Sequence, residues 1–596
     1  MNNDIFSEVK SIATSYKEDS IEIVEGLSFC QYANIRRTIF YSRSKYVSSD
    51  GKNAKQEMRP FYNIVNKAVN VGIRATDFDT KNIEVVSKNP NFYMQSFFAR
   101  KELEQWMHDV SFDLTLNKMS ETRVRFGTVL VKRVETKDQI TVEPVSWKNV
   151  ITDQVDILNN PIIEEHYLSP LQFAKKRTAW SGVETHYNEI MSLFDKKART
   201  QEEKGIVTNR IKVYEIQGEL PKSFMPDAPE DTPSYEHSLQ KHFLIAESGK
   251  DNYLLHSEEL KDGLNYKMLH WEEVEGRGQG KGMVEDGYEA QMWTNDSIIR
   301  EKEVMEIASK IFFKTTDDLF ADNIIKDLNN GDIFKLDEGD ISQVNTVPNS
   351  LPQFGNQRQD WDKQYTDSSS TYPGITGEQQ PANTPLGSVQ LQRSEAKSIF
   401  DYKRQQMGIF LEDMIEDWVL PYLMKKINRK HILNSEYSED ELDMIDTAFA
   451  TYEANKTAID KILDDPLYTS LQFQEEVVKI RESLAQGKNR RYIEIPEGFF
   501  SKMDAKVRIN TTNEKYNKQV MMQSMTQLLS LAPQLKESPE LLPIFSRVIE
   551  MSGIGISPSE ITPKLQPSPL QPQPQGDGVS TTQAKNFSKA LQEPTQ

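Results

Sequence analysis

Between Thr371 and Ser388 the chain breaks into TYPGITGEQQPANTPLGS, and directly after it comes the longest helical pattern in the sequence, Val389 to about Asn428. Within that pattern Ala396, Ile399, Phe400, Met407, Phe410, Leu411, Met414 and Trp418 recur three or four residues apart, which gathers them on one helix face. Pro421 is expected to end or kink the helix, because proline lacks an amide hydrogen and crowds the preceding turn. In the stretch before it Pro373, Gly374, Gly377, Pro381, Pro385 and Gly387 interrupt any regular structure, and Glu378 carries the only charge. Whatever else the chain does, it must cover the apolar face of a long helix reached through an irregular loop.

The remaining segments alternate between helical and strand-like patterns. Asp4 to about Tyr46 reads as helix, and Pro60 is expected in the first turn of a second one, with Ile64, Val65, Ala68, Val69 and Gly72 on a common face. Asn82 to Ser87 is strand-like, Tyr93 to Phe126 reads as one long helix, and TVLVKRVE and QITVEPV read as two strands around the turn Thr136-Lys137-Asp138. Helical character returns over Pro161 to Arg199. Asn209 to Trp271 then holds short β-type runs between Pro-, Asp- and Gly-rich turns, a small β-rich module inserted among helices. It ends in Gly276, Gly278, Gly280 and Gly282, read as a flexible turn that starts a helix running to about Phe313. Asp360 to Ser370 is expected to be helical, as is most of the chain after Asn428 apart from a β interruption at Arg491 to Ile509. After about Pro558 the Pro/Gln/Ser-rich sequence is expected to be disordered. The fold class is therefore α+β, mainly α with β insertions, and 596 residues are too many for one compact core.

A formal charge of −19 sets the chain against tight DNA binding by counterion release. It suits a wall along which DNA slides, and equally it suits plain solubility. The single cysteine, Cys30, allows no intrachain disulfide and no cysteine-rich zinc site. The first twenty residues lack the basic and apolar blocks of a secretory signal, and no run of 18 apolar residues suggests a membrane span.

Catalytic patterns are tested and fail. EGRGQGKGM has glycines before a helix, but Glu275 stands where a phosphate loop needs its first glycine and Gly282 replaces the magnesium-binding hydroxyl. There is no HExxH pair and no GxSxG elbow, and acidic clusters such as Glu439-Asp440-Glu441 read as solvated helix starts. No catalytic residue, metal ligand or cofactor site is assigned.

Three stretches carry a resemblance. Arg59-Pro60-Phe61-Tyr62-Asn63-Ile64-Val65 resembles the entrance helix of tailed-bacteriophage portal proteins. GRGQGKGMVEDGYEAQMWTNDSIIREKEVM looks like the start of a portal stem helix after its clip, with an aromatic or amide stripe and an internal Asn295. PGITGEQQPANTPLGSVQLQRSEAKSIFDYKRQQMGIFLEDMIEDWVLPYL is similar to the portal succession of a Gly-Pro loop, a long helix and an aromatic-proline close. The resemblance follows element order over roughly residues 55 to 550 and is specific only in those three stretches.

The resemblance implies a portal fold of wing, stem, clip, tunnel loop and helical crown, assembled as a homo-oligomeric ring of about twelve subunits. It places the wing in 1–160 and 314–370, the descending stem helix in 161–205, the clip in 206–275 and the returning stem helix in 276–313. The tunnel loop falls at 371–388, the long kinked helix at 389–428, the crown at 429–557 and a tail at 558–596. It implies a non-enzymatic conduit at a capsid vertex of the virion, assembled in the host cytoplasm. Double-stranded DNA would pass through without sequence specificity. The implied protein partners are the terminase large subunit, a head-completion or adaptor protein, and the major capsid or scaffold protein, with no membrane. Another virion structural protein, such as a tail adaptor or minor head protein, is the alternative, and a packaging ATPase is disfavoured by the missing phosphate loop.

Arg300, Lys302, Lys363, Arg393, Lys397, Lys403 and Arg404 are the candidate channel-facing cations, although such residues commonly form solvated pairs along a helix. Trp293, Trp361 and Trp418 are expected in core or intersubunit packing rather than in base stacking.

Overall fold

The structure is a computed structural model that describes residues 4–47, 58–78, 80, 83–87, 93–136, 139–203, 210–229, 232–233, 235–246, 252–309, 312–314, 342–344, 351–371, 386–427, 432–434, 439–464, 469–485, 492–494, 500 and 505–509. Expectations for most of the tunnel loop, for the helical chain after Ile509 and for the tail lie outside these residues. The described elements mix helix and sheet, an α+β arrangement.

The N-terminal helix is shorter than the sequence suggests. Helix α1 (Asp4–Glu18) gives way to a hairpin, β1 (Ile21–Val24) and β2 (Leu27–Phe29), before α2 (Gln31–Ser42). The reason lies in the β-branched residues Ile21, Ile23 and Val24 and in Gly26, which turns the chain at φ +83°. Pro60 likewise stands before a helix rather than in it, because α3 starts only at Val65 and runs to Ala75. After β3 (Ile83–Ser87) the expected single helix is two, α4 (Tyr93–Asp109) and α5 (Phe112–Phe126), split where Ser111 takes φ +53°. That break lets Trp106 and Phe112 pack ring to ring at 5.2 Å.

Strands β4 (Thr128–Glu135) and β5 (Ile140–Pro144) form as the alternation predicts. Val150–Ile151 (β6) and Ile162–Leu168 (β7) follow, the second falling where helix was expected. Short helix α6 (Pro170–Lys175), started by a Ser169 capping box, leads to α7 (Ser181–Glu203). The later β-rich run supplies β8 (Ile211–Pro221), β9 (His237–Ala246), β10 (Asn252–Glu259) and β11 (Tyr266–His270). These do not make a separate module. Strand β8 pairs with β7 in an antiparallel sheet of order β10-β9-β8-β7-β6, and β11 pairs with β4 in a second of order β11-β4-β5. Phe173, Trp180, Val183 and Ile190 cover one face of the larger sheet against Val213, Ile245 and Leu255. Ile163, Ile216 and Leu244 on the other face join a cluster with Ile5 and Val9 of α1.

Past the glycine run come α8 (Met283–Asp286) and α9 (Tyr288–Ala308), then the strand pair β12 (Phe312–Lys314) and β13 (Ser342–Val344). Helix α10 (Leu351–Ser368) lies along α9, with Trp293 and Trp361 stacked at 6.1 Å. The long helix α11 (Leu386–Met414) takes in Gly387, which the sequence placed in the loop. It passes through a π-helical turn, Ile415–Val419, into α12 (Leu420–Ile427). Pro421 therefore does not end the helix. The wider turn just before it accommodates the missing amide bond and ring that would break a regular α-helix.

Strand β14 (Ile432–Asn434), helices α13 (Glu439–Asp464) and α14 (Ser470–Ala485), and strands β15 (Tyr492–Glu494) and β16 (Ala505–Ile509) complete the described chain. Strand β15 pairs with β14, and β16 returns to pair with β3. The largest buried cluster lies where α4, α5, β4 and β5 meet Met407, Leu411, Met414, Ile415, Trp418 and Val419. No described helix is long and apolar enough to cross a membrane.

Candidate functional site: the hub of the long helices

The first turn of α3 leaves backbone amides without helical partners, and its own N-cap residue, Ile64, has no side chain that can take them. Help comes from α9. Fully buried Gln291 accepts from the Ile64 amide at 2.9 Å and the Val65 amide at 3.4 Å, while its own amide donates to the Tyr62 carbonyl. One turn on, Asn295 Oδ1 accepts from the Tyr62 amide at 2.9 Å. The stretch Arg59–Val65 is thus laid along α9 by two side-chain amides. Beneath this contact Val65, Ala68 and Val69 pack with Met283, Val284, Ala290, Tyr365 and Phe400, so α3, α8, α9, α10 and α11 share one apolar cluster. Arg404 of α11 closes the other end of α3 by donating to the Ala75 carbonyl at 2.7 Å.

A second joint fastens α11 to α5 and β11. Arg123 is 1% exposed, yet no carboxylate pairs with it among the described residues. Its guanidinium donates to the carbonyls of His270 at 2.9 Å and Lys403 at 2.8 Å and to Gln406 Oε1 at 2.9 Å, and it lies over the Trp271 ring. Burial pulls its pKa down to about 9. Lys403 donates to the Trp271 carbonyl, and burial followed by the neighbouring Arg123 charge lowers its pKa as well.

The glycine run forms the third joint, and it is packed rather than flexible. The Gly278 amide donates to Gln154 O at 2.8 Å, Gly280 to Thr128 Oγ1 at 2.7 Å and Lys281 to Glu272 O at 2.8 Å. A Cβ on Gly280 would stand 2.5 Å from Glu272 O, and one on Gly282 2.5 Å from the Gly127 nitrogen. A Cβ on Gly278 would meet the Ile157 side chain at 2.8 Å, and Gly276 is needed for its φ of +83°. Three amides that a phosphate would require are already donated within the chain.

A fourth feature was invisible in the sequence. Glu164 of β7 and Glu215 of β8 stand directly opposite each other, an arrangement of like charges that destabilises a sheet. Lys132 of β4 places its ammonium between them, 2.8 Å from Glu164 and in contact with Glu215, and so joins the two sheets. His166 Nε2 reaches Glu215 at 2.6 Å, Gln217 donates to the other oxygen, and Tyr266 donates to Glu164 at 3.3 Å. Burial opposes the ammonium of Lys132, but Glu215 and Glu164 outweigh it and its pKa is raised. Burial likewise opposes the Glu215 charge, yet Lys132 and then His166 hold that carboxyl well below the carboxylate range. Glu164, His166 and Glu215 lie close enough to ligate a metal ion, but the lysine ammonium already supplies the cation they require.

The candidate cations divide. Lys403 and Arg404 are turned into the chain by the contacts above, onto the Trp271 and Ala75 carbonyls. Arg300 is exposed and pairs with Asp296 at 2.8 Å, Lys302 pairs with Glu306 at 3.6 Å, and Lys363 is exposed on α10. The side chains of Arg393 and Lys397, and the residues Pro373, Gly374, Gly377, Glu378, Pro381 and Pro385, lie outside the described residues. Trp418 is buried in the main cluster, whereas Trp293 remains 42% exposed. Gln291, Arg123 and the Lys132 cluster were missed. Only the buried placement of Gln291 had a signal, its position within the amide stripe of α9.

Comparison with known protein families and with curated proteins finds no match for this chain.

Proposed function

We propose that this chain is the ring-forming subunit of a tailed-bacteriophage portal, the channel for DNA packaging and ejection and the platform on which the packaging motor and later head-completion proteins dock. One observation carries the reading. The three stretches that resemble portal sequences lie far apart in the chain, yet they pack on one another at a single hub. Arg59–Val65 rests on Gln291 and Asn295 of α9, and Phe400 and Arg404 of α11 hold the other side of α3.

Surface composition supports the same reading. Met292, Trp293 and Met305 on α9, and Ile399, Tyr402 and Ile409 on α11, leave large apolar side chains exposed on the two long helices. Exposed apolar side chains of this kind are available for burial against neighbouring copies. In such a ring the exposed cations Arg300, Lys302 and Lys363 are the described residues best suited to meet a duplex, while the acidic remainder keeps it sliding.

Native mass measurement and negative-stain imaging of the purified full-length chain test this. The expected result is an annular particle of about twelve 68.6 kDa copies with an axial hole. A species that stays monomeric at high concentration, or that turns over nucleotide, overturns the proposal.

A further inference from the structure

The outer edge of β16 is met by a helix instead of another strand. In the antiparallel pairing of β16 with β3, Val507 lies opposite Val85 and Ile509 opposite Ile83, and the amides of Val507 and Ile509 point away from β3. The Val507 amide donates to Glu416 Oε1 and the Ile509 amide to Glu412 Oε1, each at 2.7 Å. Geometry explains the fit. Carboxylates four residues apart on a helix are separated by about 6 Å along its axis. Alternate amides on a strand edge are about 6.6 Å apart. Two glutamates one turn apart therefore read two successive outward amides of a strand running antiparallel to the helix.

We propose that β16 is a detachable strap, and that Glu412 and Glu416 form the clasp fastening it to the long helix. A two-stranded ribbon such as β3–β16 is marginal on its own. The described part of the strap buries only Val507 and Ile509, while Lys506 and Arg508 face solvent. Behind it Leu411, Met414 and Ile415 are wholly buried in a cluster to which α4, α5 and α12 contribute alongside Val507 and Ile509. The strap can thus leave while the helix stays, and its release uncovers both the β3 edge and a pair of carboxylates spaced to receive another strand. The clasp belongs to the subunit itself and holds whether or not the chain forms a ring.

Native-state hydrogen exchange on the full-length protein tests the strap. In the unsubstituted chain the Val507 and Ile509 amides should exchange at least a hundredfold faster than those of Leu411 and Met414. In the E412A/E416A variant their exchange should rise a further tenfold or more, with Leu411 and Met414 changing less than about threefold. Strap amides as slow as the helix amides in the unsubstituted chain overturn the proposal, and that measurement stands even if the variant fails to fold. So does a variant in which strap exchange is unchanged, or in which strap and helix amides accelerate together.

Discussion

Replacing Lys132 by methionine keeps the unbranched stem and removes the charge that separates Glu164 from Glu215. Side chains directly opposite in an antiparallel pair have Cβ atoms about 5 Å apart. Two carboxylates at that separation repel by roughly 3 kcal/mol at the effective dielectric that describes such sites. Glu215 is 1% exposed and Glu164 15%, so water does little to relieve them. Breaking a buried pair by deleting one partner costs about 3–5 kcal/mol, which agrees with that repulsion. The readout is the opening free energy of β7 and β8 from native-state hydrogen exchange at pH 7. Amides of Glu164, Glu165, Tyr214 and Glu215 should exchange roughly a hundred- to several-thousandfold faster in K132M, at about 1.4 kcal/mol per tenfold. The loss should shrink as pH falls, because one carboxyl can then take up a proton. Adding E215Q to K132M removes the repulsion and should restore most of the protection. A K132M effect below about 1 kcal/mol, or a double variant no better protected than K132M, would refute the idea that the lysine is the resident cation of this site.

His242 is wholly buried, with Nε2 donating to Gln240 Oε1 at 2.7 Å and Nδ1 accepting from Ser257 at 2.8 Å, and burial followed by the His256 charge pushes its pKa down to about 4. The unfolded chain therefore takes up this proton first, so stability present above about pH 6.5 should fall by roughly 3 kcal/mol on the way to pH 4. Melting curves against pH should show that loss, and H242Q should flatten it; identical profiles for the two proteins would exclude His242 as its source. Gly280→Ala should destabilise by about 1–3 kcal/mol, since its Cβ meets the backbone of Glu272 and Gly127. Gly355→Ala, on helix α10 with nothing within 4 Å, should stabilise by about 0.5–1 kcal/mol, and denaturant titration distinguishes the opposite signs.

What the sequence determined by itself were the elements whose pattern is local. Alternation drew β4 and β5 close to their observed limits, β-type runs placed strands within Asn209 to Trp271, and the apolar repeat from Phe400 to Trp418 located the buried face of α11. The amide stripe of α9 was legible as a pattern, but not its task of capping α3. Tertiary structure decided the rest, because each deciding partner lies far away in the chain. Ile162–Leu168 becomes a strand because β8 offers it an edge more than forty residues later. Pro421 sits inside a continuous helix because the π turn before it absorbs the missing bond. Four alternating glycines look like a hinge until Gly127, Glu272 and Ile157 close against them. Lys132, Glu164 and Glu215 are ordinary surface residue types in sequence, and only the meeting of two sheets turns them into a buried ion cluster. Periodicity records which face of a segment avoids water, whereas the identity of what covers that face is a property of the whole fold.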